Sequence, residues 1–287
     1  MLCCEHGEET VLCKGQVDKL GSKAHCTPMR FGMHLPGTDL IKAAHSGKIE
    51  VAQTFISNPK SYTPAVANTR WGAIGDAMAE AGVGLYIHAP YLVNVVSANE
   101  DVRKRSVENL TSQMVAAEQI GAAGVVVHAG QGGKTGNMDQ VLSWWEHSWT
   151  LNSGVTLLIE NTAGGLCAPG KNLPTLAELV TRLRNGGANV GVCIDTCHAH
   201  AGGQTVDDIN ELGETLGGID LFHLNDSKDA FSSSRDRHQN FGTGQLDLVG
   251  LRTLLTCWPD TPGIVETPGP AAAQLADITW LRKQVAA

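Results

Sequence analysis

The sequence contains no apolar run that approaches the roughly 18 residues of a membrane-spanning helix, and no hydrophobic segment typical of a secretory signal follows its polar start. No G-x-G-x-x-G or phosphate-loop pattern follows an apolar run, so nothing indicates a dinucleotide or nucleoside triphosphate site. Its eight cysteines are scattered through 287 residues without the spacing of a small disulfide-rich domain. These absences predict a cytoplasmic chain without a membrane partner.

The chain also lacks an excess of basic residues, since 21 Lys and Arg face 29 Asp and Glu and the net charge is −8. An acidic balance normally argues against a nucleic-acid partner. Acids that surround metal ions, however, do not repel phosphate once the metals are bound. Three divalent ions would change the net charge from −8 to −2. The net charge therefore does not exclude a phosphate-containing substrate.

What the sequence does contain is a regular alternation of short apolar runs with amphipathic stretches. From residue 31 onward, eight candidate strands alternate with eight candidate helices, which predicts an α/β fold with an eight-stranded parallel TIM barrel over residues 31–287. A doubly wound open sheet is the alternative. Residues 1–30 have no clear period and are predicted to be a flexible N-terminal extension. The predicted strands are 31–35, 51–56, 83–88, 124–128, 155–160, 190–195, 219–224 and 263–266, and the predicted helices are 39–45, 64–81, 101–120, 138–152, 174–184, 206–216, 248–256 and 271–285.

Acids and histidines recur where these predicted strands end. The apolar run 190–195 ends in Asp195, and His198 follows three residues later. A buried carboxylate at such a position is costly unless a charged partner compensates it. In a parallel barrel all strand ends of this kind face the C-terminal mouth, where barrel enzymes place their chemistry. Four carboxylates and five imidazoles are expected there: His88, His128, Glu160, Asp195, His198, His223, Asp236, His238 and Glu266.

Nine candidate ligands are too many for one ion, because a zinc site usually has about four. Bridging groups and solvent positions make them suitable for two or three ions of a zinc-like metal. The set is rich in imidazole and has no obvious thiolate, which favours zinc or manganese over magnesium. Cys193 and Cys197 flank the acid at 195, and we interpret both as packing thiols. Clustered divalent ions are suited to phosphoester hydrolysis, because they activate water and stabilise the departing oxygen.

Seven short motifs, taken together and in this order, resemble endonuclease IV, the zinc-dependent apurinic/apyrimidinic endonuclease family. The resemblance runs from about residue 31 to the C-terminus and leaves the N-terminal extension outside it. The motifs are HAPYL at 88–92, HAG at 128–130, IENTAG at 159–164, GVCIDTCH at 191–198, HLNDSK at 223–228, DRH at 236–238 and ET at 266–267.

The resemblance implies an eight-stranded barrel that binds three Zn²⁺ ions, with Mn²⁺ as an alternative at some positions. It implies a monomeric DNA-repair enzyme that cleaves double-stranded DNA on the 5′ side of an abasic site. The products would be a 3′-hydroxyl and a 5′-deoxyribose phosphate, and a 3′-phosphodiesterase activity would accompany this incision.

The resemblance also assigns the ligands to three ions. His88 and His128 would hold the first ion, and Glu160 would bridge it to the second. The shell of the second ion would be completed by Asp195, His223 and Glu266, whereas the third ion would be held by His198, Asp236 and His238. Glu160 would also be the catalytic residue, because it is placed to orient the attacking water or to accept its proton.

Two predicted loops, residues 58–62 and 91–92, resemble family segments that enter the duplex and fill the gap left by a flipped-out nucleotide. A position buried at the barrel rim is the alternative for the tyrosine at 91. The sequence departs from the family at residues 32–37, which read GMHLPG, and at the lysine at 60, where an arginine is common. The predicted DNA-contacting residues are Asn58, Lys60, Tyr91, Leu92 and Arg237.

Two other functions remain open from the sequence. A sugar isomerase or epimerase on the same kind of barrel would use Glu160, Asp195, His223 and Glu266 on one divalent ion, and the other five candidate ligands would have no shared purpose. A DNA-lesion binding protein would use its metals only to shape the mouth. Counting the bound ions separates the first alternative from a nuclease, and incision of an abasic duplex separates the second.

Overall fold

A computed structural model describes residues 29–148 and 153–286 of the chain. Eight parallel strands pair side by side and close into a barrel. The predicted TIM barrel is therefore confirmed, and the doubly wound open sheet is wrong. The barrel strands are β1 (Phe31–His34), β2 (Val51–Thr54), β3 (Gly84–His88), β4 (Gly124–His128), β5 (Thr156–Glu160), β6 (Val190–Asp195), β7 (Leu221–His223) and β10 (Gly263–Val265). Their order around the barrel is β1-β10-β7-β6-β5-β4-β3-β2, and pairing between β1 and β2 completes the ring.

Each predicted helix has a counterpart around the barrel, and most of these helices begin at a side chain that caps the first turn. Asn68, Asn99 and Asn172 each accept a hydrogen bond from a backbone N–H three residues later, as expected of N-cap residues. The helices are α1 (Leu40–Ala44), α2 (Thr69–Glu80), α3 (Glu100–Gln119), α4 (Met138–Ser148), α5 (Leu173–Asn185), α6 (Thr196–Gly202), α7 (Val206–Leu216), α8 (Leu248–Cys257) and α9 (Ala271–Val285).

Three of the short elements that were not predicted lie next to candidate ligands. Helix α6 follows β6 without a loop, because Asp195 is both the last strand residue and the helix N-cap. The two-residue strands β8 (Asp226–Ser227) and β9 (His238–Gln239) pair antiparallel on the connection after β7. Elements this short carry too few residues for a periodic signal.

The inside of the barrel explains why the strand ends carry the candidate ligands. Seven buried side chains, one from each barrel strand except β1, form an interior cluster. Side chains two residues apart on a strand share a face, so the residue two positions after each member points inward one layer nearer the mouth. The interior cluster consists of Val51, Tyr86, Val126, Leu158, Cys193, Leu221 and Ile264. The residues two positions later are Gln53, His88, His128, Glu160, Asp195, His223 and Glu266.

No helix within residues 29–148 and 153–286 combines the length and the apolarity that crossing a membrane requires. The N-terminal extension predicted over residues 1–30 falls almost entirely outside the described residues, so its flexibility stays a prediction.

Candidate metal centre

The structure brings all nine predicted ligands together at the C-terminal mouth of the barrel. Six of them are the inward-facing strand-end residues described above, and three come from α6 and the connection after β7. Glu160, Asp195 and His223 are fully buried, whereas the side chain of Asp236 is 53% exposed. Ligand atoms within 4.8 Å of one another form overlapping groups: His88, His128 and Glu160; Glu160, Asp195, His223 and Glu266; and Asp195, His198 and His238.

The carboxylate of Glu160 belongs to two of these groups. Its Oε2 lies 3.3 Å from Nε2 of both His88 and His128, and its Oε1 lies 2.9 Å from Nδ1 of His223. One oxygen therefore faces the first group and the other faces the second. A carboxylate divided in this way can bridge two ions.

The third group has Asp195 as its own carboxylate, and the carboxylate of Asp236 adjoins it. Asp195 Oδ2 lies 3.3 Å from His238 Nε2, and Asp236 lies 3.2 Å from His198 Nε2 and 3.3 Å from His238 Nε2. The predicted set of His198, Asp236 and His238 is thus brought together, and Asp195 adjoins it as well as the second group. Cys197 Sγ is also close to Asp236 and His238, although burial raises the pKa of this thiol to about 11.

Hydrogen bonds to backbone carbonyls orient three of the histidines. The Nδ1 atom of His88 lies 2.7 Å from Ala89 O, and Nδ1 of His198 lies 3.0 Å from Asn161 O. His238 makes the corresponding contact with the carbonyl of residue 266 at 3.3 Å. If Nδ1 donates in each case, Nε2 faces the cluster with its lone pair. Outer hydrogen bonds of this kind commonly orient metal-binding histidines.

The electrostatics of the site are dominated by its buried carboxylates. Burial opposes ionisation of Glu160, but the imidazoles of His223, His128 and His198 hold the pKa of its carboxyl well below the usual range. Burial likewise opposes protonation of His238, yet Asp195 and Asp236 raise its pKa to about 11. The carboxylates thus require positive charge at this mouth, and bound cations would provide it.

Two buried polar atoms of the site support the fit of these residues to metal ions. Glu160 Oε2 and His238 Nε2 make no hydrogen bond within the described structure. Buried polar atoms are normally satisfied, because leaving one without a partner is costly. Both atoms belong to the ligand groups, and imidazole and carboxylate are donors that zinc accepts. The donor set and these unsatisfied atoms therefore fit divalent cations.

Two asparagines that the motifs contain, but that were not singled out, hold the buried acid at 195. Asn225 donates from Nδ2 to Asp195 Oδ2 at 2.8 Å and accepts at Oδ1 from the backbone N–H of Glu266. Asn161 makes a two-way contact with the backbone of Asp195, at 2.7 and 3.1 Å. Their position directly after the strand-end ligands is the signal that could have identified them.

A further buried acid secures the connection that carries Asp236 and His238. The carboxylate of Asp226 accepts hydrogen bonds from the backbone N–H groups of Gly242, Gly244 and Leu246 at 3.1, 3.0 and 2.9 Å. These contacts hold the start and the end of the connection together around the third group.

The two loops predicted to enter DNA lie side by side on the rim. The backbone N–H of Tyr91 donates to Pro59 O at 3.1 Å, and the hydroxyl of Tyr62 donates to Leu92 O at 2.6 Å. The side chains of Tyr91 and Leu92 are 56% and 43% exposed, so the alternative of a buried rim position for Tyr91 is wrong. Lys60 is exposed on the neighbouring loop.

The remaining predicted DNA contacts have intramolecular partners. The side chain of Asn58 accepts from the backbone N–H of Lys60 at 2.9 Å and shapes the loop. The guanidinium of Arg237 forms a two-pronged ion pair with Asp229, in which Nε lies 2.6 Å from Oδ2. The side chain of Arg237 is nevertheless half exposed, so its role toward DNA stays a prediction.

Comparisons with known proteins agree with this geometry. Residues 41–284 match a family described as xylose isomerase-like TIM barrel. The chain is 37% identical over 259 residues to the "Probable endonuclease 4" of Mycobacterium ulcerans, a match that covers 90% of this chain and 99% of that protein. It is 38% identical over 221 residues to the "Probable endonuclease 4" of Mycobacterium tuberculosis, covering 76% of this chain and 85% of that protein. The crystal structure of endonuclease IV from Thermus thermophilus aligns with a TM-score of 0.75 and 27% identity, over 90% of this chain and 99% of that one. The chain therefore belongs to the endonuclease IV family of nucleases, which is built on the xylose isomerase-like TIM barrel.

Proposed function

We propose that this protein is a DNA-repair endonuclease that hydrolyses the phosphodiester bond on the 5′ side of an abasic site. We propose that it uses three zinc ions, leaves a 3′-hydroxyl and a 5′-deoxyribose phosphate, and also removes blocking groups from 3′ ends. The observation that carries this proposal is the convergence of nine ligands on one mouth. Eight of them form three groups that share the carboxylates of Glu160 and Asp195, and Asp236 adjoins the third group through His198 and His238.

The extra ligands favour a nuclease over a single-metal sugar isomerase. Such an isomerase would need only the group of Glu160, Asp195, His223 and Glu266. The other five ligands lie within ion-binding distance of this group or of one another, and all of them face the same mouth. A site with one ion would leave these imidazoles and the acid at 236 without a function.

The residues at the mouth have different roles in the proposed phosphoester hydrolysis. Divalent ions, when bound, make water a stronger nucleophile and stabilise the charge on the departing oxygen. The buried carboxylate of Glu160 is held ionised by its imidazole neighbours, so it can accept a hydrogen bond from the attacking water and orient it. His128, whose pKa burial lowers to about 4, is neutral at pH 7 and available as a ligand.

The cleft beside the ligands suits a nucleotide that has lost its base. It has a volume of about 320 Å³ and runs from Tyr91 past His128 and His198 to Asp236. An abasic nucleotide is less costly to extrude than an intact one, because less stacking and no base pairing is lost. The exposed side chains of Tyr91 and Leu92 can fill the space that the extruded nucleotide leaves in the duplex.

The proposed function is tested with a duplex that carries one tetrahydrofuran abasic analogue, with the intact duplex as the control. We expect a single nick immediately 5′ to the analogue, and elemental analysis should find close to three metal ions per chain. Tight binding without a nick would instead favour a lesion-binding protein. About one ion per chain, together with no nick, would favour the isomerase.

Replacing Tyr91 with Ala is expected to reduce discrimination between abasic and intact duplex on the order of 10-fold, because an aromatic contact to a base contributes about 1–3 kcal/mol. Incision rates on both duplexes give the measurement. The matched control is Phe231→Ala, which removes another exposed aromatic, on the connection after β7, whose ring contacts His200. An unchanged preference in the Tyr91 variant would contradict its role as a wedge.

A further inference from the structure

Seven inward-facing residues follow the members of the interior cluster by two positions, and Gln53 is the one among them that was not predicted as a ligand. It follows Val51 of the interior cluster by two residues, and its side chain is fully buried. Its amide touches residues from three other strands or strand ends: His34, His223 and Glu266. A buried amide among candidate ligands therefore requires a physical explanation.

The orientation of this amide follows from its carboxylate neighbour. Gln53 Nε2 lies 2.6 Å from Glu266 Oε1. An ionised carboxylate can only accept hydrogen bonds, so the atom facing it must be the NH₂ group. The amide oxygen consequently faces Nε2 of His223, at 2.9 Å. Since an amide oxygen can only accept, this ring nitrogen must carry the hydrogen.

The hydrogen on Nε2 determines which ring nitrogen of His223 is available to bind a metal ion. With Nε2 engaged outside the cluster, Nδ1 is the nitrogen that points inward. It lies 2.9 Å from Glu160 Oε1 and 3.4 Å from Glu266 Oε2. A ring nitrogen binds a metal through its lone pair, and the hydrogen bond made by the other nitrogen selects which one is available.

The same amide also restrains Glu266. Its NH₂ group engages Oε1 of that carboxylate, and it makes a second contact with His34 Nδ1 at 3.1 Å. Oε2 of Glu266 is thereby left on the side of His223 Nδ1. One side chain thus fixes two members of the second ligand group.

His223 is oriented by the side-chain amide of Gln53, whereas three other histidines of the site are oriented by backbone carbonyls. A backbone acceptor cannot be removed by substitution, whereas the acceptor for His223 is a side chain. We infer that Gln53 is a positioning residue of the metal centre, which presents His223 Nδ1 and Glu266 Oε2 to the second ion. This inference rests on the proposed function and extends it to a residue outside the nine ligands.

The test compares the zinc affinity of the wild type with that of Gln53→Met and Gln53→Glu. Each full-length protein is loaded with zinc and equilibrated with a graded series of a competing chelator, and the zinc retained is counted by elemental analysis. Gln53→Met keeps the length of the side chain but has no amide, and we expect one of the three ions to bind about 10–100-fold more weakly. Gln53→Glu should weaken it at least as much, because a carboxylate oxygen would face Glu266 Oε1 where the NH₂ group now lies.

The matched control is Thr54→Val. Thr54 is the next residue on β2, it is equally buried, and its hydroxyl has no hydrogen-bond partner in the described structure. The Thr54→Val variant should retain as much zinc as the wild type. General destabilisation would not loosen one ion of three, so selective loss in the Gln53 variants supports positioning.

Wild-type zinc retention in both Gln53 variants would overturn the inference while leaving the proposed function intact. A wild-type protein that retains no zinc would contradict the proposed function itself, and the two failures are therefore distinguishable.

Discussion

Replacement of Glu160 by Gln is expected to reduce incision of an abasic duplex on the order of a thousand-fold or more, with the fold preserved. Losing one oriented group that acts only in the transition state typically costs a hundred- to a thousand-fold. Here the same change also removes the charge that bridges two ligand groups. Single-turnover incision rates provide the measurement, because they isolate the chemical step from product release.

The fold of the Glu160→Gln variant should survive, because Gln has almost the same shape and its amide, which can donate as well as accept, can keep a hydrogen bond with Nδ1 of His223. Circular dichroism and the thermal midpoint test this expectation. The control is Glu214→Gln on the exposed face of α7, which should incise at the wild-type rate. Wild-type incision by Glu160→Gln would refute the catalytic role assigned to this carboxylate.

Removal of the metals by a chelator is expected to abolish incision and to lower the thermal midpoint by at least roughly 8–16 °C, which is the shift for a single tightly bound ion. A ligand present at a thousand times its dissociation constant stabilises the native state by about 4 kcal/mol. One kcal/mol shifts the midpoint of a protein of this size by about 2–4 °C. Calorimetry of the stripped and the zinc-reloaded protein provides the measurement. Zinc should restore both properties, and a stripped protein that nicks at the original rate would contradict a metal-dependent mechanism.

The stabilisation by zinc should also grow as the pH rises from about 6 to about 8.5. Burial opposes protonation of His238, but Asp195 and Asp236 raise its pKa to about 11, against roughly 6.5 in the unfolded chain. Without zinc, protonation of His238 stabilises the fold fully below about pH 6.5. This contribution is lost as the pH rises toward about 11, the pKa of His238 in the folded protein. Zinc must displace the same proton, so acid weakens its binding. A zinc-induced shift that is independent of pH would count against His238 as a ligand.

The strands and their ends were predictable because barrel strands leave a strong local signal. Runs such as residues 124–128 and 190–195 are buried on both faces and are therefore continuously apolar, and their observed bounds equal the predicted ones. Helix boundaries were less accurate where local chemistry intervened. The predicted helix 64–81 begins only at Thr69, because Asn68 caps it in an extended conformation.

Other features had no signal in the sequence. The strands β8 and β9 are two residues long, and their pairing depends on how the connection after β7 folds back. The contact between Arg237 and Asp229 likewise arises within this connection. A glutamine at 53 is chemically ordinary, and only its neighbours give it significance.

The sequence by itself determined which residue types lie at the inward ends of the strands, because the alternation of side chains along a strand and the common direction of parallel strands are local properties. The tertiary structure alone decided how those residues are grouped. It placed the two oxygens of Glu160 toward different histidines, set Asp195 between two groups and turned His223 toward the centre through Gln53. The physical reason is that these contacts join residues up to 170 positions apart, and their distances depend on the closure and register of the barrel.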